Sequence, residues 1–479
     1  MVLVVFWLLG ISYRLWLWEQ FYGWEESDYG NLAMVRGVWD SRFTLYDMNH
    51  MPGYYAFGAF FLCFTDDTVV AAKLASWIGG SVAFGLAISL VYRLAGYYPA
   101  IVTTALLFAQ PEFSLYASSA LREPVYAALL LGFLTATLWR YYWVAGVCMA
   151  SAFLFRFEVP LAVIPLYLLW ATQKQYRPIW TTTLPLVVTI VLWALYCQQI
   201  HGTFQFWAHA AATNVETGLG AEAVSRWDWI QRGSAVAGTL FFELLPSRIG
   251  WLVWFGWLLA PLLCIRTSRW IPVICFSYSL VFLWLAIGFI AQHDAEHNLY
   301  WKWLCPFVPV VVPVGVLGLV LLSNSWAPLW RYALWCLTLG QALWGNVEES
   351  ARQIQRSVQL YKPQLVLAKK IEKEAPIGRL MIVDNIPACW IGRKPNDLSM
   401  ISWFDVPVPK NDPKKFAAWL TEKQVWSVLW FKEDWTKAPG IAPFLSKGGT
   451  WTINGVTLTE TAREDEYGWI NYRVSFATH

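Results

Sequence analysis

Apolar segments long enough to cross a lipid bilayer recur from residue 1 to about residue 345, and they constrain the fold more than any other feature. A straight helical crossing needs about 20 apolar residues. The chain is 57% hydrophobic and only 14% charged, whereas about a quarter of the residues in an average globular protein are charged. The sequence therefore predicts a polytopic α-helical membrane protein. Residues 1–18 lack a basic start and a small-residue cleavage site, so we expect an anchored first helix and no cleaved signal peptide.

Twelve apolar segments can be delimited in this part of the chain. The second, "MPGYYAFGAFFLCF", is short, contains a proline and two glycines, and is followed at once by Asp66 and Asp67. We expect it to lie in the interface or to re-enter the membrane, which leaves about eleven crossing helices. The segments are 2–18, 52–65, 69–92, 97–116, 124–140, 142–155, 157–171, 179–200, 249–265, 270–291, 303–322 and 327–345.

With eleven crossing helices, the charged residues of the loops separate according to the side of the membrane on which they lie. With residue 1 inside, the inner loops carry cations and no Asp or Glu, which is the positive-inside pattern. The short segments on either side of Arg156 and Glu158 fit this pattern only if they form two helices with a turn at the outer surface. One long helix would bury both charges in hydrocarbon, at a cost of at least about 2.5 kcal/mol for each group. The cations assigned to the inner loops are Arg93, Arg140, Lys174, Arg177, Arg266, Arg269 and Arg331.

The C-terminal quarter of the chain differs in composition from the rest. Residues 347–479 hold 18 of the 35 Lys and Arg and 15 of the 32 Asp and Glu. We therefore expect a transmembrane domain at 1–346, with outer loops at 19–68 and 201–247, and a small soluble α/β domain at 347–479 on the outer side. "RLMIV" and "VWSVLWF" are typical of buried strands, "PKKFAAWLTEK" of an amphipathic helix, and "GTWTINGVTLTETA" of a hairpin that turns at Asn454 and Gly455. A helical stretch at about 347–375 is expected to join the two domains.

Several function classes are disfavoured by the sequence. The eight Cys residues show no metal-binding or redox spacing and lie mostly in apolar segments. The formal charge of +3 is too small to imply nucleic-acid binding. His293 and His297 stand four apart in "HDAEH", but the order of a helical zinc-protease site is absent. No metal site is assigned from these residues.

Three carboxylates, Glu25, Glu26 and Asp28, follow the first apolar helix in "WEESDYGN". The predicted topology places this loop on the outer face together with "SSALREP", "FRFE", the 201–247 loop and "AQHDAEHNLYWKW". Neighbouring carboxylates cannot all stay charged at low cost, so at least one pKa in the cluster should be raised towards a range useful for general-base catalysis. The alternative is an ordinary solvated loop.

The order of these motifs resembles that of the C-type membrane glycosyltransferases, in particular the family 39 protein mannosyltransferases and the aminoarabinose transferases. That family typically has D-E-x-x-Y-x-x-x-A after its first helix, and "EESDYGNLA" has Glu25, Glu26, Tyr29 and Ala33 at the same spacing. Four further elements match in order, and three of them have substitutions at acidic or basic positions. They are "NHMPGYYAF", "AAKLASWIG" with Lys73 for Arg, "LREPV" with Glu123 for Asp, and "KWLCPFVP" with Lys302 and Trp303 for Arg and Tyr.

The resemblance implies a C-type fold and an inverting transfer of a hexose or pentose from a polyprenyl-phosphate-linked donor. The acceptor, a protein, a glycolipid or a polysaccharide, would approach from the outer side of a multi-pass cell-membrane protein, and the compact helices favour a prokaryotic cytoplasmic membrane. One of Glu25, Glu26 and Asp28 would be the general base, and a divalent cation such as Mg²⁺ or Mn²⁺ at this cluster is left open. The residues expected to bind the donor phosphate or substrate are His50, Lys73, Arg122, Glu123, Arg156, Glu158, His297 and Lys302.

Each of these residues also has an ordinary structural interpretation. Arg122 with Glu123, and Arg156 with Glu158, are equally well explained as structural ion pairs. Lysines at the membrane interface commonly extend their ammonium groups to water. The histidines are equally consistent with ordinary loop residues. At the level of the whole protein, the alternatives are a transporter or flippase of lipid-linked sugars and a non-catalytic scaffold. A transporter is expected to show internal repeats, and none is evident in the sequence.

Overall fold

The computed structural model describes the greater part of the chain. The described residues are 2–20, 26–40, 51–157, 159–202, 204, 238, 241–242, 245–264, 271–274, 305–374, 380–383, 399–402, 412–431, 443–445, 447–464 and 469–477. The helices up to residue 374 are α1 Val2–Gln20, α2 Glu26–Trp39, α3 Gly53–Phe61, α4 Thr68–Ala95, α5 Tyr97–Ala109, α6 Pro111–Tyr116, α7 Glu123–Leu138, α8 Tyr142–Phe155, α9 Val159–Thr172, α10 Tyr176–His201, α11 Leu245–Ile249, α12 Trp251–Cys264, α13 Val308–Ser323 and α14 Pro328–Glu374.

Two of the described helices, Thr68–Ala95 and Tyr176–Ile200, are long and apolar enough to cross a membrane on their own length and composition. Six shorter apolar helices have 10–17 residues. Helix α3 has nine residues, or about 13 Å at 1.5 Å per residue, which is too short for a crossing. This agrees with the interfacial or re-entrant segment predicted there, while the count of eleven crossing helices stays a prediction.

Two helix boundaries illustrate how the backbone follows the sequence. Helix α8 ends at Phe155, and the extended backbone of Arg156 (φ −155°, ψ 124°) separates it from α9, so the predicted break between two helices is present. The segment predicted as one unit at 97–116 is divided between α5 and α6 at Gln110. Gln110 precedes Pro111 and is extended (ψ 113°), because a proline ring clashes with a helical residue before it.

Glycines set how closely the central helix α4 approaches its neighbours. A Cβ added at Gly79 would lie 2.6 Å from the Cα of Val125 in α7, and one at Gly80 would lie 2.3 Å from the Cβ of Ala117. Small residues allow helix backbones to touch in this way in membrane proteins. The contact holds the first turn of α7 against the N-terminal half of α4.

Helix α14 runs for 47 residues, about 70 Å, so the helical stretch predicted at 347–375 continues the last apolar helix without interruption. The Arg248 guanidinium of α11 lies 3.4 Å from the Glu349 carboxylate, and the Asn346 side chain donates to the Arg248 carbonyl (2.9 Å). Burial alone would raise the pKa of Glu349, but a hydrogen bond from Gln353 and the charges of Arg248 and Arg352 outweigh it, so this pKa lies below its usual value. The cluster fixes α11 against α14.

The C-terminal residues form a six-stranded mixed sheet. Its strands are β1 Leu380–Val383, β2 Ser399–Ser402, β3 Ser427–Phe431, β4 Thr450–Ile453, β5 Val456–Glu464 and β6 Trp469–Phe476, with helix α15 at Pro413–Glu422. The order is β2-β1-β3-β6-β5-β4. Strands β2, β1 and β3 are parallel and the other pairs are antiparallel.

The predicted strands, amphipathic helix and hairpin of this region are all present. Asn454 (φ 49°) and Gly455 (φ 78°) have the positive φ values that a two-residue hairpin turn requires. The sheet has an apolar core of its own that includes Phe416, Leu420 and Tyr472. The Tyr472 hydroxyl donates to the carbonyl of Leu445, and burial, reinforced by the charge of Glu460, raises its pKa to about 12.

Candidate functional site

The predicted site residues divide into those that the structure describes and those that it does not. Glu25, His50, Glu158, His297 and Lys302 lie outside the described residues. Glu26 and Asp28 are placed by their backbone in the first turn of α2. A helix N-terminus carries a partial positive charge that stabilises nearby carboxylates. The side chains of Lys73, Arg122, Glu123 and Arg156 are described and are all buried.

Helix α2 is held to the segment that precedes Arg122. The Asn31 side chain is buried, and its Nδ2 donates to the carbonyl of Ala120 over 2.8 Å. One turn further along, α2 packs closely on α3, where a Cβ at Gly58 would lie 2.7 Å from Val35. The acidic motif and the "SSALREP" motif are therefore joined directly, although 89 residues separate the bonded pair.

The turn at residues 117–122 is also bonded to α1 and α4. The Ser118 hydroxyl lies within hydrogen-bond distance of the Arg14 carbonyl (3.1 Å). Leu121 donates its N–H to the Ser76 oxygen (3.1 Å), and the Ser76 hydroxyl donates to the Leu121 carbonyl (2.6 Å). The Tyr54 hydroxyl of α3 lies 3.0 Å from the same Ser76 oxygen. Four motifs that are distant in sequence therefore meet at one end of α4.

Glu123 is the centre of a buried charge cluster. Its Oε1 lies 3.4 Å from Arg122 Nε and 4.0 Å from Arg156 Nη1. The side chains of Glu123 and Arg156 are only 2% and 4% exposed, and the Arg156 guanidinium also lies 5.8 Å from the centre of the Tyr126 ring. The structure thus pairs both arginines with Glu123. Among the described residues, the two cations and one anion of this cluster carry a net positive charge.

Lys73 lies on α4 and reaches the end of α1. Its Nζ donates to the Trp18 carbonyl over 3.3 Å, and the residue is 6% exposed. A lysine at a helix C-terminus interacts favourably with the last carbonyl groups and the helix dipole. Asp67 caps the start of α4 by accepting from the N–H groups of Val69 and Val70. Lys73 is therefore held in the same buried region, and its ammonium group is not exposed to bulk water.

Sequence reasoning missed two residues of this region. Tyr55, on the short helix α3, is buried. Its ring lies 6.2 Å from that of Tyr54, whose hydroxyl is bonded to Ser76 beside the 117–122 turn. Arg14 is fully buried in α1. The sequence contained a signal for Arg14, because it is the single charge within the first apolar segment and an ionisable residue in a membrane helix is a functional candidate by default.

The arrangement has cationic groups of the kind that stabilise a phosphate leaving group. Arginine and lysine side chains in a region of low dielectric stabilise developing negative charge far more than they would in water. The acids at the start of α2 are attached to the same turn and are candidates for proton abstraction. Among the described residues, no group of three His, Cys, Asp or Glu is placed to hold a metal ion. A divalent cation at Glu25, Glu26 and Asp28 stays a prediction.

No protein-family model and no curated protein sequence matches the chain. Solved structures do, and they define a class: the chain has the fold of the C-type membrane glycosyltransferases. The resemblance predicted from the sequence motifs is confirmed at the level of the fold.

Among these structures is ArnT from Cupriavidus metallidurans bound to undecaprenyl phosphate. It is similar over 98% of this chain and 97% of its own, with a TM-score of 0.64 and 13% identity. The apo state of the same protein gives a TM-score of 0.60 at 12% identity, over 97% of each chain. The Archaeoglobus fulgidus oligosaccharyltransferase, in complex with Zn and sulfate, gives 0.56 at 14% identity over 94% of this chain and 71% of its own. Identities this low establish a common fold only.

Proposed function

We propose that the protein is an integral-membrane glycosyltransferase that moves a sugar from a polyprenyl-phosphate donor to an acceptor on the outer face of a cell membrane. The observation that carries the proposal is the buried, net-positive cluster of Arg122, Glu123 and Arg156, joined through the 117–122 turn to the acidic start of α2. The fold supports it, since one protein with this fold binds undecaprenyl phosphate.

The reaction divides between an acidic and a basic half of the site. A carboxylate of Glu25, Glu26 or Asp28 takes the proton of the acceptor hydroxyl as that oxygen attacks the anomeric carbon of the donor sugar. The new glycosidic C–O bond forms as the bond to the phosphate oxygen breaks, and the configuration inverts. Polyprenyl phosphate leaves with the bonding electron pair, and Lys73, Arg122 and Arg156 stabilise its charge. His50, Glu158, His297 and Lys302 complete the proposed substrate contacts.

The orientation and the partners are part of the same proposal. The cation-rich connections at Arg93 and between Lys174 and Arg177 face the cytoplasm by the positive-inside rule, so the site and the C-terminal sheet lie on the outer side. The sheet contributes acceptor recognition or closure of the site. The donor's prenyl chain lies between the apolar helices, and the acceptor is a protein, a glycolipid or a polysaccharide.

The test is sugar release from radiolabelled polyprenyl-phosphate sugars by the purified full-length protein. We expect turnover by the wild type and a loss of about 10²–10⁴-fold in one of the Glu25→Gln, Glu26→Gln and Asp28→Asn variants, as is typical of a general base. Glu422→Gln, which changes an exposed carboxylate in α15, is the matched control and should retain full activity.

Each variant is first checked for a monodisperse elution profile and for donor binding, so that loss of activity is not loss of fold. Wild-type activity in all three acidic variants contradicts the assignment of the base. A wild-type protein that releases no sugar, but moves lipid-linked sugar across vesicle membranes, contradicts the transferase proposal and identifies a flippase.

A further inference from the structure

A cavity of about 770 Å³ lies at the C-terminal end of α4. Three elements line it: the first turns of α1, the last turns of α4 and the connection between α7 and α8. Its volume is within the range of about 300–1,000 Å³ that is usual for small-molecule sites. The cavity is therefore large enough to hold part of a lipid.

The cavity lies far from the buried charge cluster. Arg93, which lines it, stands 20 residues beyond Lys73 in α4, or about 30 Å along the helix axis. That distance equals the hydrocarbon thickness of a typical bilayer, and α4 is one of the described helices long and apolar enough to cross it. The cavity therefore opens near the membrane surface opposite the proposed active site.

The inner end of the cavity is largely apolar. Trp7 Nε1 donates to the Ser81 carbonyl over 3.0 Å, and a Cβ added at Gly85 would lie 2.9 Å from the same nitrogen. The indole therefore lies directly against the backbone of α4. Ile88 continues the apolar wall towards the helix end. From Gly85 to Arg93 the cavity extends along about 12 Å of α4.

The outer end of the cavity combines aromatic side chains with a cation. Tyr92, Trp139 and Tyr141 line it and are 54%, 44% and 62% exposed. Such rings prefer the boundary between hydrocarbon and headgroups, because one end is apolar and the other forms hydrogen bonds. Arg93 is exposed next to Tyr92, and a guanidinium can donate to two phosphate oxygens at once. The concave shape and the arginine distinguish this arrangement from an ordinary aromatic belt.

A second cation stands beside the same end of the cavity. Arg140 lies between Trp139 and Tyr141 and has φ 65°. The Tyr141 N–H donates to the Ala136 carbonyl (2.8 Å) and the Arg140 N–H to the Thr137 carbonyl (3.0 Å), the Schellman pattern that ends a helix. Glycine is the usual residue at this left-handed position, and arginine is less favourable there. A positive charge is thus kept where backbone preference favours glycine.

We propose that this cavity binds an anionic glycerophospholipid of the cytoplasmic leaflet. Arg93 binds the lipid phosphate, Arg140 adds positive potential beside it, and an acyl chain lies along Trp7 and Ile88. Basic pockets between membrane helices on the cytoplasmic side bind anionic headgroups in this way. The polyprenyl donor is not the expected occupant, because its phosphate is bound about 30 Å away at the other surface. The inference goes beyond sugar transfer and rests only on the proposed orientation.

The experiment measures lipid binding to the full-length protein in detergent by native mass spectrometry. The probes are phosphatidylglycerol and phosphatidylcholine with identical acyl chains, with soluble glycerol 3-phosphate as a competitor. The variants are Arg93→Gln, which removes the charge, and Ser89→Trp, which fills part of the cavity and leaves every cation in place. Arg177→Gln changes an exposed arginine at the start of α10 and is the matched control.

We expect the wild type to prefer phosphatidylglycerol. Arg93→Gln should lower this preference by about 5-fold, the effect of one arginine near an anionic lipid surface. Ser89→Trp should lower it at least as much, and Arg177→Gln should leave it unchanged. Phosphatidylglycerol should also raise the Tm of the wild type more than that of Arg93→Gln, because a ligand that binds only the folded state stabilises it.

Several results would overturn the proposal. A wild type without the preference, or an equal fall in Arg93→Gln and Arg177→Gln, leaves only a general effect of surface charge. A preference that persists in folded Ser89→Trp places the lipid elsewhere. Displacement by glycerol 3-phosphate identifies a site for soluble phosphate. An equal loss of undecaprenyl phosphate binding in Arg93→Gln identifies the polyprenyl lipid as the occupant. Should Ser89→Trp not fold, the comparison of Arg93→Gln with Arg177→Gln decides alone. Sugar release enters none of these measurements, so their failure leaves the proposed function untouched.

Discussion

The contact between α4 and α7 at Gly79 gives the sharpest test of how the site is positioned. An alanine at Gly79 would place its Cβ 2.6 Å from the Cα of Val125 and 2.7 Å from its nitrogen. These are backbone atoms, so no side-chain rotation relieves the overlap. Ordinary contacts begin near 3.4 Å, and the two helices must therefore separate by about 0.8 Å. Overpacking of this kind costs about 1–3 kcal/mol.

The separation should reach the chemistry because Glu123 stands at the first turn of α7. A displacement near 1 Å in a positioning element lowers activity by up to about 10²-fold. We expect Gly79→Ala to lower the apparent Tm in detergent by about 1–3 °C and to lower sugar release by about 10- to 100-fold. The measurements are a thermal-shift assay and turnover per folded molecule.

Gly340→Ala is the matched control. Gly340 lies in α14, and nothing stands within 4 Å of an added Cβ, so alanine there should leave the Tm unchanged or raise it slightly through its higher helix propensity. Equal Tm and equal turnover for the two variants would refute the tight α4–α7 contact. A lower Tm with unchanged turnover would refute the step from that contact to the site.

Three further predictions follow from single contacts. Asn31→Ala removes the bond that holds α2 to Ala120, so turnover should fall by about 10-fold with a stability loss near 1 kcal/mol, measured as kcat and apparent Tm. Glu349→Gln should lower the Tm at neutral pH. Because the folded-state pKa of Glu349 is depressed, the Tm difference between wild type and variant is present above the usual carboxyl range and shrinks as the pH falls through the lowered pKa. A Tm difference that stays unchanged at low pH would contradict the pairing. The exposed Glu348→Gln variant is the control. Tyr472→Phe should cost about 1 kcal/mol at neutral pH. The wild type should lose its advantage as the pH rises from about 10, the unfolded value, towards about 12, which a pH series of Tm values checks.

Local chemistry made much of the fold predictable. The Asn454–Gly455 turn and the break at Arg156 follow from residue preferences within a few positions, and the structure confirms both. Pro111 offered an equally local signal for the break between α5 and α6, but the apolar run on both sides obscured it. The number of crossing helices is harder to predict, because helix length alone does not fix which short apolar helices cross.

The site was predictable as a set of motifs and not as a set of contacts. Arg122, Glu123 and Arg156 were all candidates, but the pairing of Arg156 with Glu123 depends on how α7 and α8 pack, which no spacing in the sequence encodes. The same applies to the bond between Asn31 and Ala120. Arg14 was visible as a lone charge, but its complete burial against Phe84 depends on how α1 packs on α4.

The length of α14 has a mechanical consequence. A rod of about 70 Å acts as a lever, so a tilt of about 5° at its membrane end displaces the far end by about 6 Å. Pro363 lies eleven residues before the end of this helix. Since a proline inside a helix removes one backbone hydrogen bond and favours a kink, bending should concentrate at that joint. The eleven residues beyond Pro363 span about 16 Å, so a bend of about 5° at this joint moves the end of the helix by only about 1.4 Å, much less than the same tilt of the whole helix.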